Sequence, residues 1–298
     1  MTELVNSVKR NFKLFFKDKG LFFTSLITPL ILLVLYVFFL ARIYKGNFQS
    51  AFADFAPPDK ILNGLVAGQL MSSMLAVSCV TVAFGSNMLM VMDKVTGARG
   101  DLLISPVKKS TLALSYYIST VVTTLFISLI GCAACLIYVG ATGWCLSVGD
   151  VFLILSDVVL LVLFGTALSS IVNLFLSSQG QISAVGTVVS AGYGFICGAY
   201  MPIHFFGSVL QNILCFLPGT YGTSLIRSHC IRGALSELSS LGVDASVITE
   251  IKQSIDSELV FFGNAVAEWA SYLVLILSIV ALVTVYVLLN VFRGKKKK

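Results

Sequence analysis

Residues that could do chemistry are few in this chain, and none of them forms a recognisable catalytic set. The only histidines, His204 and His229, lack neighbours with the spacing of a metal site or of a Ser-His-Asp triad. Cys132 and Cys135 form a C-x-x-C pair inside an apolar run, where cysteine is more often a small packing residue than a ligand. The sequence therefore does not predict an enzyme.

Two acidic residues lie within apolar runs, where carboxylates often mark ion pathways. Asp157 lies early in one run, and Glu268 adjoins Trp269 and Tyr272 in another. Aromatic neighbours of this kind are typical of a membrane–water interface, so both carboxylates are predicted near the outer membrane surface. That position argues against a proton path, and an ion-coupled transporter is kept only as an alternative.

No nucleotide-binding loop is present in the sequence. A G-x-x-x-x-G-K-[ST] motif does not occur, and residues 294–298 have neither the loop spacing nor the hydroxyl that such a motif supplies. This chain is therefore not expected to hydrolyse ATP, and no cofactor or metal is expected on it.

The elements that must position these residues are long apolar segments. Of the 298 residues, 57% are hydrophobic and 11% charged, whereas soluble domains carry roughly 25% charged residues. Runs of roughly 20 apolar residues can cross a bilayer as helices with internally satisfied backbones. The runs cover residues 21–41, 61–92, 116–140, 151–176, 182–201 and 261–292. We predict an all-α polytopic membrane protein with six transmembrane helices in one domain, residues 1–298.

Basic residues fix the predicted orientation, because Lys and Arg near membrane spans are retained in the cytoplasm. With both termini inside, the cytoplasmic segments hold fourteen of the twenty Lys and Arg residues. The net charge of +6 therefore reflects topology and attraction to anionic lipid, with no indication of nucleic-acid binding. The fourteen are Lys9, Arg10, Lys13, Lys17, Lys19, Lys94, Arg99, Lys108, Lys109, Arg293 and Lys295, Lys296, Lys297, Lys298.

Two cytoplasmic segments have a helical pattern of their own. Residues 1–20 combine an apolar face with a basic face, which predicts an amphipathic helix at the membrane interface. Residues 93–115 contain a glycine-rich turn and then an apolar triplet, which predicts a short helix lying under the membrane. A plain connection into the next span remains an alternative for the second segment.

Residues 198–259 form the predicted external segment. Pro202, Gly207 and Pro218 interrupt apolar sequence, and broken helices at membrane depth are tolerated where protein or a water-filled cavity covers them. We predict a pair of re-entrant half-helices here, and one amphipathic helix over residues 234–259. A disulfide between Cys215 and Cys230 is left open. The spacing of Gly194 and Gly198 favours close helix contact, here with a second copy of the chain.

Two segments together resemble the type-2 ABC exporter permeases of bacteria. DKVTGARGDLLISPVKKS, beginning at Asp93, resembles the cytoplasmic coupling segment of that family, with its acidic-basic pair, glycine and Ser-Pro-Val ending. CGAYMPIHFFGSVLQNILCFLPGTYGTSLIR, beginning at Cys197, resembles the family's re-entrant segment. Two features depart from the family pattern: Ala98-Arg99-Gly100 stands where many members have Gly-Thr-hydrophobic, and the external segment before the sixth span is longer. These departures leave the expected coupling intact, but the resemblance does not fix the substrate class.

The resemblance implies a dimer of permeases, or a related pair, with a cytoplasmic ABC ATPase under each half that binds the ATP and Mg²⁺. It implies a bacterial inner-membrane protein that exports a drug, an antimicrobial peptide or a lipid-like molecule, with a lipid-linked polysaccharide as the alternative substrate. The expected ATPase-docking residues are Arg99, Gly100, Leu102, Leu103, Ile104 and Pro106. The expected gate residues are Gly198, Pro202, Pro218 and Tyr221.

Overall fold

The computed structural model describes residues 2–52, 57–104 and 107–293. These residues are almost wholly helical, with one short β-hairpin. The helices are α1 Thr2–Lys17, α2 Lys19–Leu35, a π-helical turn Tyr36–Leu40, α3 Ala41–Ala51, α4 Asp59–Ser86, α5 Met88–Val95, α6 Ala98–Ile104, α7 Lys109–Thr142, α8 Val148–Phe175, α9 Gln179–Ile196, a 3₁₀ turn Ile203–Phe206, α10 Gly207–Leu214, α11 Pro218–Ser240, α12 Ala245–Ser254 and α13 Glu268–Arg293. Strands β1 Val260–Phe261 and β2 Asn264–Ala265 pair antiparallel.

Five helical segments of the described chain are long and apolar enough to cross a membrane. They are Ser25–Ser50, Asp59–Val95, Lys109–Thr142, Val148–Phe175 and Glu268–Phe292. The all-α polytopic membrane class is therefore confirmed. The fifth predicted span corresponds to α9, which has 18 residues and is about 27 Å long at 1.5 Å per residue. Its role as a sixth span stays a prediction.

Helix α4 lies at the centre of the bundle and is buried along nearly its whole length. Glycines allow its neighbours to approach closely. A β-carbon at Gly68 would lie 2.5 Å from the carbonyl oxygen of Cys230 in α11, and one at Gly165 in α8 would lie 2.9 Å from the Cα of Val80. The packing around α4 thus depends on small residues, as expected where helices associate within lipid.

The junction between α4 and α5 is held by a polar contact inside the bundle. Asn87, at the break between the two helices, donates hydrogen bonds from Nδ2 to Ser169 Oγ at 3.1 Å and to Ser170 Oγ at 3.0 Å. A buried amide must find such partners, because an unpaired one costs about 1–3 kcal/mol. The second predicted span, residues 61–92, is therefore observed as two helices, α4 and α5, with a break at Asn87.

The amino-terminal helix α1 packs on α7 through an aromatic cluster. Phe15 is buried, and the Phe16 ring lies 5.7 Å from the Phe126 ring of α7 in an edge-to-face arrangement. The helix predicted over residues 1–20 is thus observed, and its position at the membrane interface stays a prediction.

Two predictions for the carboxyl-terminal third were wrong. Residues 234–259 do not form one helix, because α11 ends at Ser240, Gly242 adopts a φ of +82°, and the Asp244 side chain caps a separate helix α12. The last predicted span, residues 261–292, begins too early, because residues 260–265 form the hairpin and the helix α13 begins at Glu268. Three apolar residues of the predicted amphipathic helix, Ile251, Ile255 and Leu259, are nevertheless buried.

Candidate functional site

Lys94 joins the short helix α5 to the end of α8. Its Nζ donates hydrogen bonds to the carbonyl oxygens of Asn173 at 2.8 Å, Leu174 at 2.9 Å and Leu176 at 3.0 Å. The last carbonyls of a helix have no partner within the helix, and a cation there also complements the helix dipole. The segment after the second span is therefore attached directly to the end of the fourth.

Asp93, the residue before Lys94, joins α5 to α1 and α7. Arg10 donates two hydrogen bonds to its carboxylate, at 2.7 Å and 3.2 Å, and the Tyr116 hydroxyl donates one at 2.6 Å. Bidentate contacts of this kind fix orientation as well as adding energy. The acidic-basic pair Asp93 and Lys94 thus makes two structural attachments: Asp93 attaches to α1 and α7, and Lys94 attaches to the end of α8.

Helix α6 contains most of the residues predicted to dock the ATPase. Arg99 donates a hydrogen bond from Nη2 to Asn290 Oδ1 of α13 at 3.0 Å, and Leu102 packs partly buried against the neighbouring buried cluster. Gly100 is exposed, and the Ile104 side chain is 86% exposed. Pro106 and the side chain of Leu103 lie outside the described residues. Among the described members of the predicted set, Ile104 is the large apolar group available to a partner.

Arg227 of α11 is fully buried inside the bundle and holds the chain after α9. Its Nη2 donates to the Gly198 carbonyl oxygen at 2.7 Å and to Ser73 Oγ of α4 at 3.3 Å, and its Nη1 donates to the Ile255 carbonyl oxygen. Gly198, a predicted gate residue, adopts a φ of +75°, a conformation that favours glycine.

Asp256 completes this arrangement. Its Oδ2 lies 3.8 Å from Arg227 Nη1 and accepts a hydrogen bond from the backbone of Ile203, and its Oδ1 lies 3.5 Å from Nδ1 of His204. Ile203 follows the predicted gate residue Pro202. The buried ion pair therefore fixes the bend between α9 and α10, and no local sequence pattern reveals it because Asp256 lies far along the chain.

The predicted gate residues Pro218 and Tyr221 lie at the start of α11. Pro218 occupies the first helical turn, where its missing N–H costs nothing, and this start separates α11 from α10. Tyr221 is buried in a cluster with Ile203, Leu214 and Leu259. The chain over residues 198–225 is thus broken into a 3₁₀ turn, the short helix α10 and the start of the 23-residue helix α11, while the pair of re-entrant half-helices and the gating role stay predictions.

A second polar group, which we name the His229 clasp, joins α11 to α8 and α13. His229 is fully buried, its Nδ1 lies 2.5 Å from Asp157 Oδ2, and its Nε2 lies 3.1 Å from Glu268 Oε1. Tyr272 donates to Asp157 at 3.1 Å, and Arg232 donates to Glu268 at 3.0 Å. Sequence reasoning found both carboxylates but missed the histidine that joins them.

Both ring nitrogens of His229 face carboxylates, so a doubly protonated ring satisfies both contacts. Burial lowers the pKa of His229, but the hydrogen bonds and charges of Asp157 and Glu268 outweigh it and raise the pKa above the ordinary value of 6.5. Within the described residues no group of three or more His, Cys, Asp or Glu side chains has the geometry of a metal site. The clasp is thus an ion-paired contact between helices.

The glycines predicted to contact a second copy have contacts within the chain. A β-carbon at Gly194 would lie 2.4 Å from the ring of Tyr200, and Gly198 lies beyond the end of α9, close to Ile203 and Asp256. Their role in a dimer stays a prediction. All seven cysteines are free thiols, including Cys215 and Cys230.

Long apolar helices joined by buried polar contacts define a polytopic α-helical membrane protein. The sequence matches the ABC-2 type transporter family over residues 2–230, and the chain belongs to that family. It is thus a permease component of an ABC transporter, and such permeases normally pair with an ATP-binding subunit. The chain has no significant match among curated protein sequences.

Proposed function

We propose that this chain is the membrane-spanning subunit of an exporter that moves an amphipathic drug, antimicrobial peptide or lipid-like molecule outward. A separate cytoplasmic ATPase, which holds the ATP and Mg²⁺, powers it, and a second permease copy or a related permease completes the pathway. The protein resides in the bacterial inner membrane with both termini in the cytoplasm.

The observation that carries this proposal is the attachment of residues 93–104 to four other helices. Asp93 contacts α1 and α7, Lys94 contacts the end of α8, and Arg99 contacts α13. A partner that moves α6 would therefore move several helices at once, as required of a coupling element between two conformations. The exposed Ile104 supports docking at the same place.

The His229 clasp argues against the alternative of an ion-coupled transporter. Such a mechanism needs a carboxylate that can exchange its ion with solvent. Asp157 is buried and contacts His229 and Tyr272, while Glu268 contacts His229 and Arg232. Both candidate carboxylates thus have protein partners that neutralise or bind them.

The test is the change Ile104→Asp, measured by co-purification of the permease with its ATP-binding subunit. Burying an isoleucine side chain contributes about 1.5–3 kcal/mol, so we expect a loss of affinity of about tenfold to a hundredfold. Substitution at Leu102 is less informative, because that side chain also packs against the permease.

The matched control is Val5→Asp on α1, which also changes an exposed apolar residue, here 47% exposed. It should leave co-purification near the level of the unchanged protein. Normal co-purification of the Ile104→Asp permease, with ATP turnover that still responds to substrate, would show that α6 is only a connector.

A further inference from the structure

A polar pocket lies between α11, the turn after α12 and the start of α13. Its volume is about 140 Å³, close to that of a protein cavity of about 150 Å³ that binds benzene. Glu268, the first residue of α13, belongs to its wall, and α13 contains one of the five candidate spans. The pocket therefore lies at one end of a predicted membrane span, where dissolved molecules and lipid headgroups both have access.

Hydroxyl groups of four serines line this pocket. Ser224 and Ser257 donate to backbone carbonyl oxygens, at 3.3 Å and 3.0 Å. The hydroxyls of Ser228 and Ser271 have no hydrogen-bond partner within the described residues. Ser271 is the more informative of the two, because its side chain is only 4% exposed and lies in the pocket wall. Native structures rarely leave a buried hydroxyl unpaired, so a molecule in the pocket is expected to pair with it.

Two opposite charges of the wall are also unpaired. Lys252 and Glu258 are half-buried, and neither forms an ion pair with any residue that the structure describes. Glu268 is already engaged, because it contacts His229 and Arg232. Within the described wall, Lys252 and Glu258 are therefore the charges available to a ligand.

The available charges select a ligand by its own charge. A simple cation near Glu258 would be repelled by Lys252, and a simple anion near Lys252 would be repelled by Glu258. A zwitterion avoids both costs, because each of its charges has an opposite charge beside it when it leaves water. A primary ammonium also carries three N–H donors, which the carboxylate and the serine oxygens can accept.

We propose that the pocket binds a small zwitterion that carries a primary ammonium group and an anionic group. The ammonium contacts Glu258, the anionic group contacts Lys252, and Ser271 supplies a hydrogen bond from the buried side of the pocket. Free amino acids and the phosphoethanolamine headgroup of lipids share this chemistry. The site goes beyond the proposed export function and does not depend on the direction of transport.

The experiment measures access to a cysteine placed in the pocket wall. The full-length permease with Cys145→Ala and Ser228→Cys is reconstituted in phosphatidylcholine nanodiscs, and its rate of modification by a maleimide is measured. The remaining native cysteines are buried. The probe is β-alanine, a zwitterion with as many non-hydrogen atoms as benzene, and we expect saturable protection. The control Ser236→Cys, at an exposed position of α11 outside the pocket, should show no protection.

Three variants in the same background test the proposed contacts. Glu258→Gln and Lys252→Gln each remove one charge and should raise the half-protecting concentration of β-alanine about fivefold to tenfold. Ser271→Ala removes one hydrogen bond and should raise it about threefold to tenfold. The matched control Glu250→Gln removes an exposed charge of α12 outside the pocket and should leave it unchanged.

A second measurement needs no introduced cysteine. β-Alanine should raise the Tm of the permease with its native residues, and Glu258→Gln should reduce this increase. Betaine, a zwitterion whose nitrogen carries three methyl groups and no N–H, should have a much smaller effect at the same concentration. This comparison tests the primary ammonium apart from the charge.

Nanodiscs of phosphatidylethanolamine distinguish the two sources of the ligand. Protection of the introduced cysteine by these nanodiscs without any solute would identify a lipid headgroup, and protection by β-alanine alone would identify a dissolved zwitterion; either result supports the site. Absence of protection in both cases would show that the pocket holds only water and would overturn the proposal. Equal effects of betaine and β-alanine, or of Glu250→Gln and Glu258→Gln, would also overturn it. None of these results bears on the Ile104→Asp test, so the two proposals fail separately.

Discussion

Buried charges in this protein are held by residues that are distant in sequence. Asp157 is almost fully buried in α8, and an isolated carboxylate there would cost several kcal/mol. His229 removes that cost and at the same time contacts Glu268, so one imidazole links three helices. Removing one partner of such a contact is therefore more damaging than removing both, because it leaves an uncompensated charge.

The change His229→Leu should destabilise the permease by about 3–5 kcal/mol, the range for breaking a buried ion pair. The double change His229→Leu with Asp157→Asn should recover part of this loss, because the buried charge is gone. The measurement is denaturant-induced unfolding in detergent micelles. Arg232→Gln is the control, since this exposed contact should contribute less than about 1 kcal/mol. Equal effects of His229→Leu and Arg232→Gln would contradict the assignment.

The same histidine predicts a pH dependence. His229 lies on α11, which is not among the five candidate spans. The groups around it are Asp157 of α8 and Glu268 and Tyr272 of α13. Arg232, also on α11, contacts Glu268. Because the folded-state pKa is raised above 6.5, the stabilisation is fully present below about pH 6.5 and is lost as the pH rises through the raised pKa.

Melting temperatures of the permease measured between about pH 6 and pH 9 should therefore fall with rising pH through the His229 transition. The His229→Leu variant should lack this transition. A profile that is the same in both proteins would show that the histidine does not titrate in this range.

At the scale of elements, the sequence predicted the helices whose apolar runs are long, and it failed where a tertiary contact decides the boundary. The three spans Asp59–Val95, Lys109–Thr142 and Val148–Phe175 follow from hydropathy alone. The π-helical turn at Tyr36–Leu40 and the hairpin at residues 260–265 carry no comparable signal. The bend after α9 depends on Asp256, which is more than fifty residues away from Gly198, so no local pattern reveals it.

The segment of residues 93–104, which we propose as the coupling element, shows the same limit. Its short helix and its apolar tip were predicted from the sequence around Gly97, and α6 is observed there. The attachment of Lys94 to the end of α8 could not be predicted, because carbonyl groups of any residue can accept its protons. Sequence therefore indicated where the segment lies, and the structure identified the helices that it contacts.

Changing Lys94→Met should separate coupling from docking. The substitution removes three charge-assisted hydrogen bonds, each worth about 1.5–3 kcal/mol, so the last turn of α8 should fray. We expect faster hydrogen exchange at the backbone amides near Leu174 and weaker stimulation of ATP turnover by substrate, with co-purification of the ATPase unchanged. Lys108→Met, at an exposed position before α7, is the control. Unchanged exchange at the end of α8 would contradict the capping role.

On the scale of the whole molecule, polar contacts of two lysines mark the two ends of the bundle. Lys94 places the carboxyl end of α8 beside α5, whereas the ion pair between Lys60 and Glu237, at 3.3 Å, places α11 beside the start of α4. The chain between residues 176 and 237 must therefore pass from one end of α4 to the other. Two long helices lie in that interval, α9 with 18 residues and α11, which has 23 residues and extends to Ser240, so the assignment of the crossing to α9 as the sixth span stays a prediction.

The last prediction concerns the side of the membrane on which each end lies. A cysteine introduced at Lys108 should react with a membrane-impermeant maleimide only from the cytoplasmic side, and one introduced at Asp244 only from outside. Both positions are exposed, and six of the seven native cysteines are buried, so background labelling is limited to Cys145. One reason is that Lys and Arg are retained on the cytoplasmic side. The other is that the chain passes from the end of α8, beside α5, to Glu237, beside Lys60 at the other end of the bundle. Whole cells and inside-out vesicles provide the two accessible faces. Labelling of both cysteines from one side would require an even number of crossings between residues 108 and 244, and would contradict α9 as the single crossing after α8.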